Sequence, residues 1–197
     1  MKLHVFPASP NARKCILVNS LLGLDIEEVF IDLRAGEQRS EEFLALNPNG
    51  KMPVLEMDDG TSLWESNAII NYMAALGEAD IWPKSNQRYD IMRWQFWEAC
   101  HLMPACSKFI RRHFFGREDI DMEKATEEVQ TLGAVLDGHL ASRDWLSGDA
   151  MTTADISVSA ILCYREACSM PVSQFENLAT WLARVEALPA WKLANAD

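Results

Sequence analysis

The chain has little positive charge and no long apolar run. Lys and Arg number 18 against 29 Asp and Glu, which gives a formal net charge of -11 over 197 residues. Because phosphate binding depends on Lys and Arg, this balance disfavours nucleic acid and anionic membrane surfaces as partners. No apolar stretch approaches the length of a membrane span, and the residues before Pro7 are too few for a signal peptide's apolar region. We therefore expect a cytoplasmic protein.

Paired cysteine motifs are also missing. The five cysteines contain no C-x-x-C pair, and their odd number does not suggest a disulfide framework. Reduced thiols in a cytosol fit this usage better. Cys100, His101 and Cys106 do not complete a four-ligand pattern, so we expect no metal site. The apolar content of 49% is enough to bury the core of one large domain or two small ones.

The first part of the chain alternates between strand and helix signals. Residues 3–6 and 29–33 are predicted strands, and apolar residues at helical spacing predict a helix between them that ends at Gly23. A hairpin follows, with strands at 53–57 and 61–64 around the turn Asp58-Asp59-Gly60, and then a second amphipathic helix. The order βαβ then ββα is that of the thioredoxin fold.

The second part of the chain is predicted to be all-helical. Residues 77–86 interrupt the pattern, and the apolar residues beyond them recur at helical spacing. Thr152 and Asp155 form a predicted capping box at the start of one of these helices. We expect an α/β domain at 1–77, a linker at 78–86 and a helical bundle domain at 87–197.

Ser9 stands where the first predicted strand leads into a helix. It is the predicted N-cap, and Pro10 is the first helical residue. A helix N-terminus gathers free backbone N–H groups and the positive end of the helix dipole, so it stabilises an anion such as a thiolate. The alternative is a plain capping serine whose oxygen is used on the N–H of Asn11 or Ala12.

Two further motifs follow Ser9 along the chain. Met52-Pro53-Val54 begins the predicted hairpin, and Glu65-Ser66-Asn67 opens the helix after it. Together with the run Pro7-Ala8-Ser9, they resemble the glutathione S-transferase family, most closely its serine-type phi and bacterial members. The resemblance covers nearly the whole chain, and its specific motifs lie in the first 70 residues.

The resemblance implies roles for most of these residues. Ser9 would donate a hydrogen bond to the glutathione thiolate without being a nucleophile itself. Pro53 resembles the family's cis-proline, and the backbone of Met52 would pair with the cysteinyl part of glutathione as an added strand does. Ser66 would hold the γ-glutamyl carboxylate while Glu65 meets the α-ammonium.

The glycyl carboxylate of glutathione requires cations, and the resemblance implies Arg39 and Lys51. Gln38 and Arg39 stand where phi enzymes have histidine and lysine. Cys15, six residues after Ser9, lies inside the helix at core spacing, so a cysteine-based disulfide exchange is not expected. A tyrosine-type site is also disfavoured, because the first tyrosine of the chain is Tyr72.

The resemblance implies an enzyme that uses glutathione as co-substrate. The thiolate would attack a small, largely apolar electrophile, and the protein would form a homodimer. Two alternatives remain open at this point. The same site serves glutathione-dependent isomerases, dehalogenases and peroxidases, and some transferase-like proteins are non-catalytic interaction modules.

Overall fold

The computed structural model describes residues 1–194, which form two compact units. The first unit contains residues Met1–Trp82 together with the segment that starts at Leu188, and the second contains Pro83–Ala187. Every regular element of the second unit is a helix. None of the described helices is long and apolar enough to cross a membrane.

A four-stranded mixed sheet forms the centre of the first unit. It contains β1 (Lys2–Val5), β2 (Glu27–Phe30), β3 (Val54–Glu56) and β4 (Ser62–Trp64). The strand order is β2-β1-β3-β4, with β1 parallel to β2 and antiparallel to β3. β3 and β4 pair as an antiparallel hairpin, so β4 is the last strand at this edge of the sheet. The predicted thioredoxin-like βαβ-ββα order is therefore confirmed. The elements are β1 Lys2–Val5, α1 Pro10–Leu22, β2 Glu27–Phe30, α2 Glu41–Leu46, β3 Val54–Glu56, β4 Ser62–Trp64, α3 Ser66–Leu76 and α9 Pro189–Ala194.

The predicted bounds of the second strand are wrong at both ends. It spans Glu27–Phe30 rather than 29–33, and its first two residues are exposed because β2 is an edge strand. The chain turns at Asp32, whose carboxylate accepts hydrogen bonds from the backbone N–H groups of Arg34 and Ala35. This local turn replaces the continuation of the strand. The other three strands differ from their predicted bounds by one residue at one or both ends.

The helices of the first unit bury apolar residues against neighbouring elements of that unit. Cys15 and Val18 of α1 are fully buried, and α1 contacts both α3 and α9. The helix ends at Gly23, whose φ of 58° is the left-handed conformation that glycine adopts without cost. Phe43 of α2 packs in a separate buried cluster with Ile31 and Val54.

The second unit is a helical bundle, as predicted. The predicted capping box is present at the start of α7, where Thr152 is the N-cap and Asp155 completes the box. Phe175 lies just before α8 (Glu176–Glu186) as its N-cap. The elements are α4 Gln87–Trp97, a π-helical turn Glu98–Leu102, α5 Met103–Phe115, α6 Met122–Leu140, α7 Thr153–Leu162 and α8 Glu176–Glu186.

Candidate active site

Ser9 occupies the N-terminus of α1 as a partly exposed N-cap. Its backbone has φ -79° and ψ 125°, its N–H donates to the carbonyl of Phe6 at 2.8 Å, and Pro10 is the first helical residue. The Ser9 side chain makes no cap hydrogen bond to the described helix. The alternative of a plain capping serine is therefore wrong, because the Ser9 hydroxyl accepts no hydrogen bond from the N–H of Asn11 or Ala12.

The Met52-Pro53 peptide bond is cis, and it precedes β3 directly. His4 of β1 pairs with Val54 of β3 in an antiparallel register. Continuing this register by two residues brings Phe6 opposite Met52. Because the chain reaches Ser9 three residues after Phe6, the N-terminus of α1 and the start of β3 lie at the same edge of the sheet.

Ser66 is the first residue of α3 and contacts the first turn of α1 directly. It is 8% exposed, and its hydroxyl donates to Oδ1 of Asn11 at 3.2 Å. Lys14 Nζ lies 3.4 Å from the same hydroxyl oxygen and 3.4 Å from Oδ1 of Asn67. These side-chain contacts join the Glu65-Ser66-Asn67 motif to the helix that begins at Ser9.

Glu65 is the residue at which the chain turns from β4 into α3. Its φ of 75° lies in a region that non-glycine residues rarely adopt. The side chain is exposed, and its carbonyl accepts the first α3 hydrogen bond, from the N–H of Ile69 at 3.0 Å. A strained backbone is often found at ligand sites, because the surrounding structure must hold it in place.

Arg39 lies against Gly50, the residue that precedes Lys51 in the chain. A Cβ built on Gly50 would lie 2.8 Å from Nη1 of Arg39 and 3.0 Å from the carbonyl oxygen of Gln38. The guanidinium of Arg39 therefore covers the residue just before Lys51. Both cationic side chains are exposed. The Gln38 side-chain oxygen is buried without a hydrogen-bond partner among the described residues.

Asn47 holds the loop that carries Lys51. Its side-chain amide donates to the carbonyl of Lys51 at 2.6 Å, and its Oδ1 accepts from the backbone N–H of Asn49 at 3.0 Å. Gly50 has a φ of 59° in this loop. The segment Asn47-Pro48-Asn49-Gly50 thus folds as a turn around the buried side chain of Asn47, and Lys51, which follows it, is exposed.

The cysteines do not contribute a nucleophile to this site. All five are free thiols. Cys15 is fully buried, and burial raises the pKa of its thiol well above the ordinary value, although the nearby charge of Lys14 opposes the rise. Burial likewise raises the pKa of Cys106, to about 12. Among the described residues, no group of three or more acidic, His or Cys side chains could hold a metal ion.

The site also contains residues that were not assigned to it from the sequence. Lys14, Asn11 and Asn67 all contact Ser66 or each other. The available signal was the spacing of Asn11 and Lys14, which are three residues apart and so share one face of α1. Which face of α1 meets α3 could not be known without the packing of the two helices.

Two family models match this chain over most of its length. The model of the glutathione S-transferase N-terminal domain matches residues 1–75, and that of the C-terminal domain matches residues 96–189. The glutathione S-transferase GstB of Escherichia coli is 30% identical over 189 residues, which cover 92% of this chain and 91% of the relative. The chain belongs to the glutathione S-transferase family.

Solved structures of the family agree with this assignment. A glutathione S-transferase from Pseudomonas fluorescens is 31% identical, with a TM-score of 0.88 and 96% of each chain covered. A glutathione transferase from Phanerochaete chrysosporium, whose structure contains oxidized glutathione, is 27% identical with a TM-score of 0.88, covering 98% of this chain and 92% of that one.

The family membership gives the activity. This chain is a glutathione S-transferase with glutathione as its co-substrate, and the fold class predicted from the sequence is confirmed. The isomerase, dehalogenase, peroxidase and non-catalytic alternatives are not favoured by the relatives, which are named as transferases.

Proposed function

We propose that this glutathione S-transferase is of the serine type and that Ser9 is its catalytic residue. Free glutathione has a thiol pKa of about 8.5, so only a few per cent is thiolate at neutral pH. Lowering that pKa by about two units requires about 2.7 kcal/mol, and one hydrogen bond to a charged group contributes roughly 1.5–3 kcal/mol. One hydroxyl at a helix N-terminus is therefore sufficient.

The observation that supports this role most strongly is that the Ser9 side chain makes no cap hydrogen bond to the helix. An N-cap serine ordinarily uses its oxygen on a backbone N–H of the first helical turn. Here the N-cap backbone geometry is present while the side-chain cap bond is not. The hydroxyl is partly exposed, at the positive end of the α1 dipole, where a thiolate gains additional stabilisation.

The remaining site residues would bind the three parts of glutathione. The backbone of Met52, held by the cis bond to Pro53, would pair with the cysteinyl residue. Ser66 at the start of α3 would hold the γ-glutamyl carboxylate, and the exposed carboxylate of Glu65 would meet the α-ammonium.

Arg39 and Lys51 would hold the glycyl carboxylate of glutathione. Both are exposed cations, and Arg39 lies against Gly50, the residue that precedes Lys51. A carboxylate bound between the two cations would gain from both charges. Gln38 would assist through its side-chain NH2, which can donate a hydrogen bond to the carboxylate. Arg39 and Lys51 supply local positive charge on a chain of net charge -11.

The catalysed reaction would be attack of the glutathione thiolate on a small, largely apolar electrophile. The sulfur forms a bond to the electrophilic carbon while the leaving group departs with the bonding pair.

We further propose that the protein acts in the cytoplasm, which suits its five free thiols. The domain limits that we propose along the sequence are 1–77 and 87–197, with the linker 78–86; within the second of these, the segment that starts at Leu188 packs in the first compact unit.

We also propose a homodimer, as the family resemblance implies. Tyr89 and Phe96 lie two turns apart on α4 and are 73% and 62% exposed, so one face of this helix presents aromatic side chains. Phe96→Glu should shift the protein from dimer to monomer in analytical ultracentrifugation. Val135→Glu, at a 48% exposed residue of α6, is the matched control and should leave the dimer intact. A monomeric wild type would contradict this proposal.

Calorimetric titration of glutathione tests the site. Wild type should bind, Ser66→Ala should bind at least about tenfold more weakly because a charge-assisted hydrogen bond is lost, and Ser9→Ala should retain most of the affinity. Absence of binding by wild type would overturn the proposed site. Equal affinities of wild type and Ser66→Ala would remove Ser66 from it.

A further inference from the structure

Lys14 is a cation buried in the interior of the first unit. Only 1% of its surface is exposed, which places it among the largest fully buried side chains of the chain. A buried lysine is uncommon because removing an ammonium from water costs several kcal/mol unless polar groups replace the water. Two of the polar groups near this ammonium are neutral oxygens at the start of α3, Ser66 Oγ and Asn67 Oδ1, each 3.4 Å from Nζ.

The hydrogen bonds around Ser66 have a defined direction. The ammonium of Lys14 can only donate, so Ser66 Oγ accepts from it at 3.4 Å. The hydroxyl proton of Ser66 is then directed to Asn11 Oδ1 at 3.2 Å. A carboxylate that replaced Asn11 as the acceptor of this proton would be linked to the buried ammonium through one hydroxyl.

The charge of Lys14 also acts on groups that it does not bond. It opposes the rise in the pKa of Cys15 that burial causes. Electrostatic interactions are stronger in a medium of low dielectric constant than in water. A ligand carboxylate at the N-terminus of α3 would therefore be attracted by both the helix dipole and this buried charge.

We propose that Lys14 is a positioning residue that selects for the α-carboxylate of the γ-glutamyl group, by fixing Ser66 and Asn67 and supplying positive charge behind them. The inference rests on the proposed glutathione site and deepens it. Lys14 does not touch the ligand. The buried ammonium acts through the hydroxyl of Ser66, which makes the site specific for an anionic group at this end of the tripeptide.

The test compares glutathione with an analogue that lacks only this carboxylate, γ-aminobutyryl-cysteinyl-glycine. The quantity measured by calorimetry is the discrimination ratio, the Kd of the analogue divided by the Kd of glutathione. Lys14→Met removes the charge at similar volume, and Lys14→Gln keeps a donor without the charge. Lys51→Met is the matched control, because it removes a cation at the opposite end of glutathione.

We expect wild type to prefer glutathione and Lys14→Met to lower the discrimination ratio by roughly tenfold, which corresponds to about 1.4 kcal/mol. Lys51→Met should weaken the binding of both tripeptides by the same factor and leave the ratio unchanged. In steady-state kinetics, Lys14→Met should raise KM for glutathione with little change in kcat, because the thiolate is stabilised at Ser9.

A purely structural role for Lys14 gives a different result. Lys14→Met would then lower the unfolding temperature and the affinity for both tripeptides but keep the wild-type ratio, and this would overturn the inference. Lys14→Gln provides the ratio if Lys14→Met does not fold. A wild type that binds both tripeptides equally would also overturn it, without any variant. Failure of wild type to bind glutathione at all would instead refute the proposed site.

Discussion

Removing the carboxylate of Asp155 should destabilise the helical unit strongly. The residue is fully buried, and its two oxygens accept four hydrogen bonds. Oδ1 accepts from the N–H of Leu146 at 2.9 Å and from Nε1 of Trp181 at 2.9 Å. Oδ2 accepts from the N–H of Thr152 at 2.8 Å and from its hydroxyl at 3.2 Å. Burial raises the pKa of Asp155, and these hydrogen bonds oppose the rise.

The magnitude follows from the donors that Asp155→Ala leaves without an acceptor. Three N–H groups lose their partner, and each buried unsatisfied donor costs about 1–3 kcal/mol. The expected loss is therefore about 3–9 kcal/mol, against a typical total stability of about 5–15 kcal/mol. Urea unfolding followed by circular dichroism measures it. The control is Asp119→Ala, which removes an exposed ion pair with Arg117 and should leave the midpoint nearly unchanged.

A double-mutant cycle isolates one of the four hydrogen bonds. Trp181→Phe removes the indole donor, so in its presence Asp155→Ala leaves one donor fewer unsatisfied. The cost of the double variant should be smaller than the sum of the single costs by about 1 kcal/mol or more. Loss of less than about 1 kcal/mol in Asp155→Ala alone would refute the reasoning, because the donors would then have found other partners.

Three further predictions concern the loops and thiols. Gly50→Ala should weaken glutathione binding, since the added Cβ would lie 2.8 Å from Nη1 of Arg39. The control is Gly23→Ala, at a similar φ but with nothing within 4 Å of the added Cβ. This variant should destabilise the fold without changing the affinity for glutathione. Hydrogen bonds from Thr61 lower the pKa of Asp59, so Thr61→Val should raise it in an NMR titration. The stabilisation from this pair is present above the unfolded-state pKa and is lost as pH falls through the folded-state one. The exposed thiol of Cys100 should be alkylated in the native protein, and the buried thiols only after unfolding.

Local signals in the sequence predicted the parts of the fold that depend on neighbouring residues. The N-cap at Ser9, the helix end at Gly23 and the capping box at Thr152 follow from the chemistry of single turns, and all three are present. The order of strands and helices could also be predicted, because the spacing of apolar residues differs between strands and helices. The end of β2 was not, because the side chain of Asp32 competes with strand continuation.

The site was predicted less completely than the fold because its contacts join distant segments. The role of Ser66 came from a motif, whereas the burial of Lys14 against it depends on how α1 packs on α3. A basic residue within a helix is ordinarily exposed. The covering of Gly50 by Arg39 likewise depends on the loop conformation. A sequence pattern predicts which residues bind a ligand, whereas the residues that pack behind them depend on tertiary structure.

The central claim is that the hydroxyl of Ser9 stabilises the glutathione thiolate. The most direct measurement is the thiolate absorbance of bound glutathione as a function of pH, in wild type, in Ser9→Ala and in Ser20→Ala, an exposed serine of the same helix that serves as control. In wild type and in Ser20→Ala, the bound thiol should titrate about two pH units below the free value of about 8.5. In Ser9→Ala the midpoint should return most of the way to the free value. An unchanged midpoint in Ser9→Ala would contradict the account.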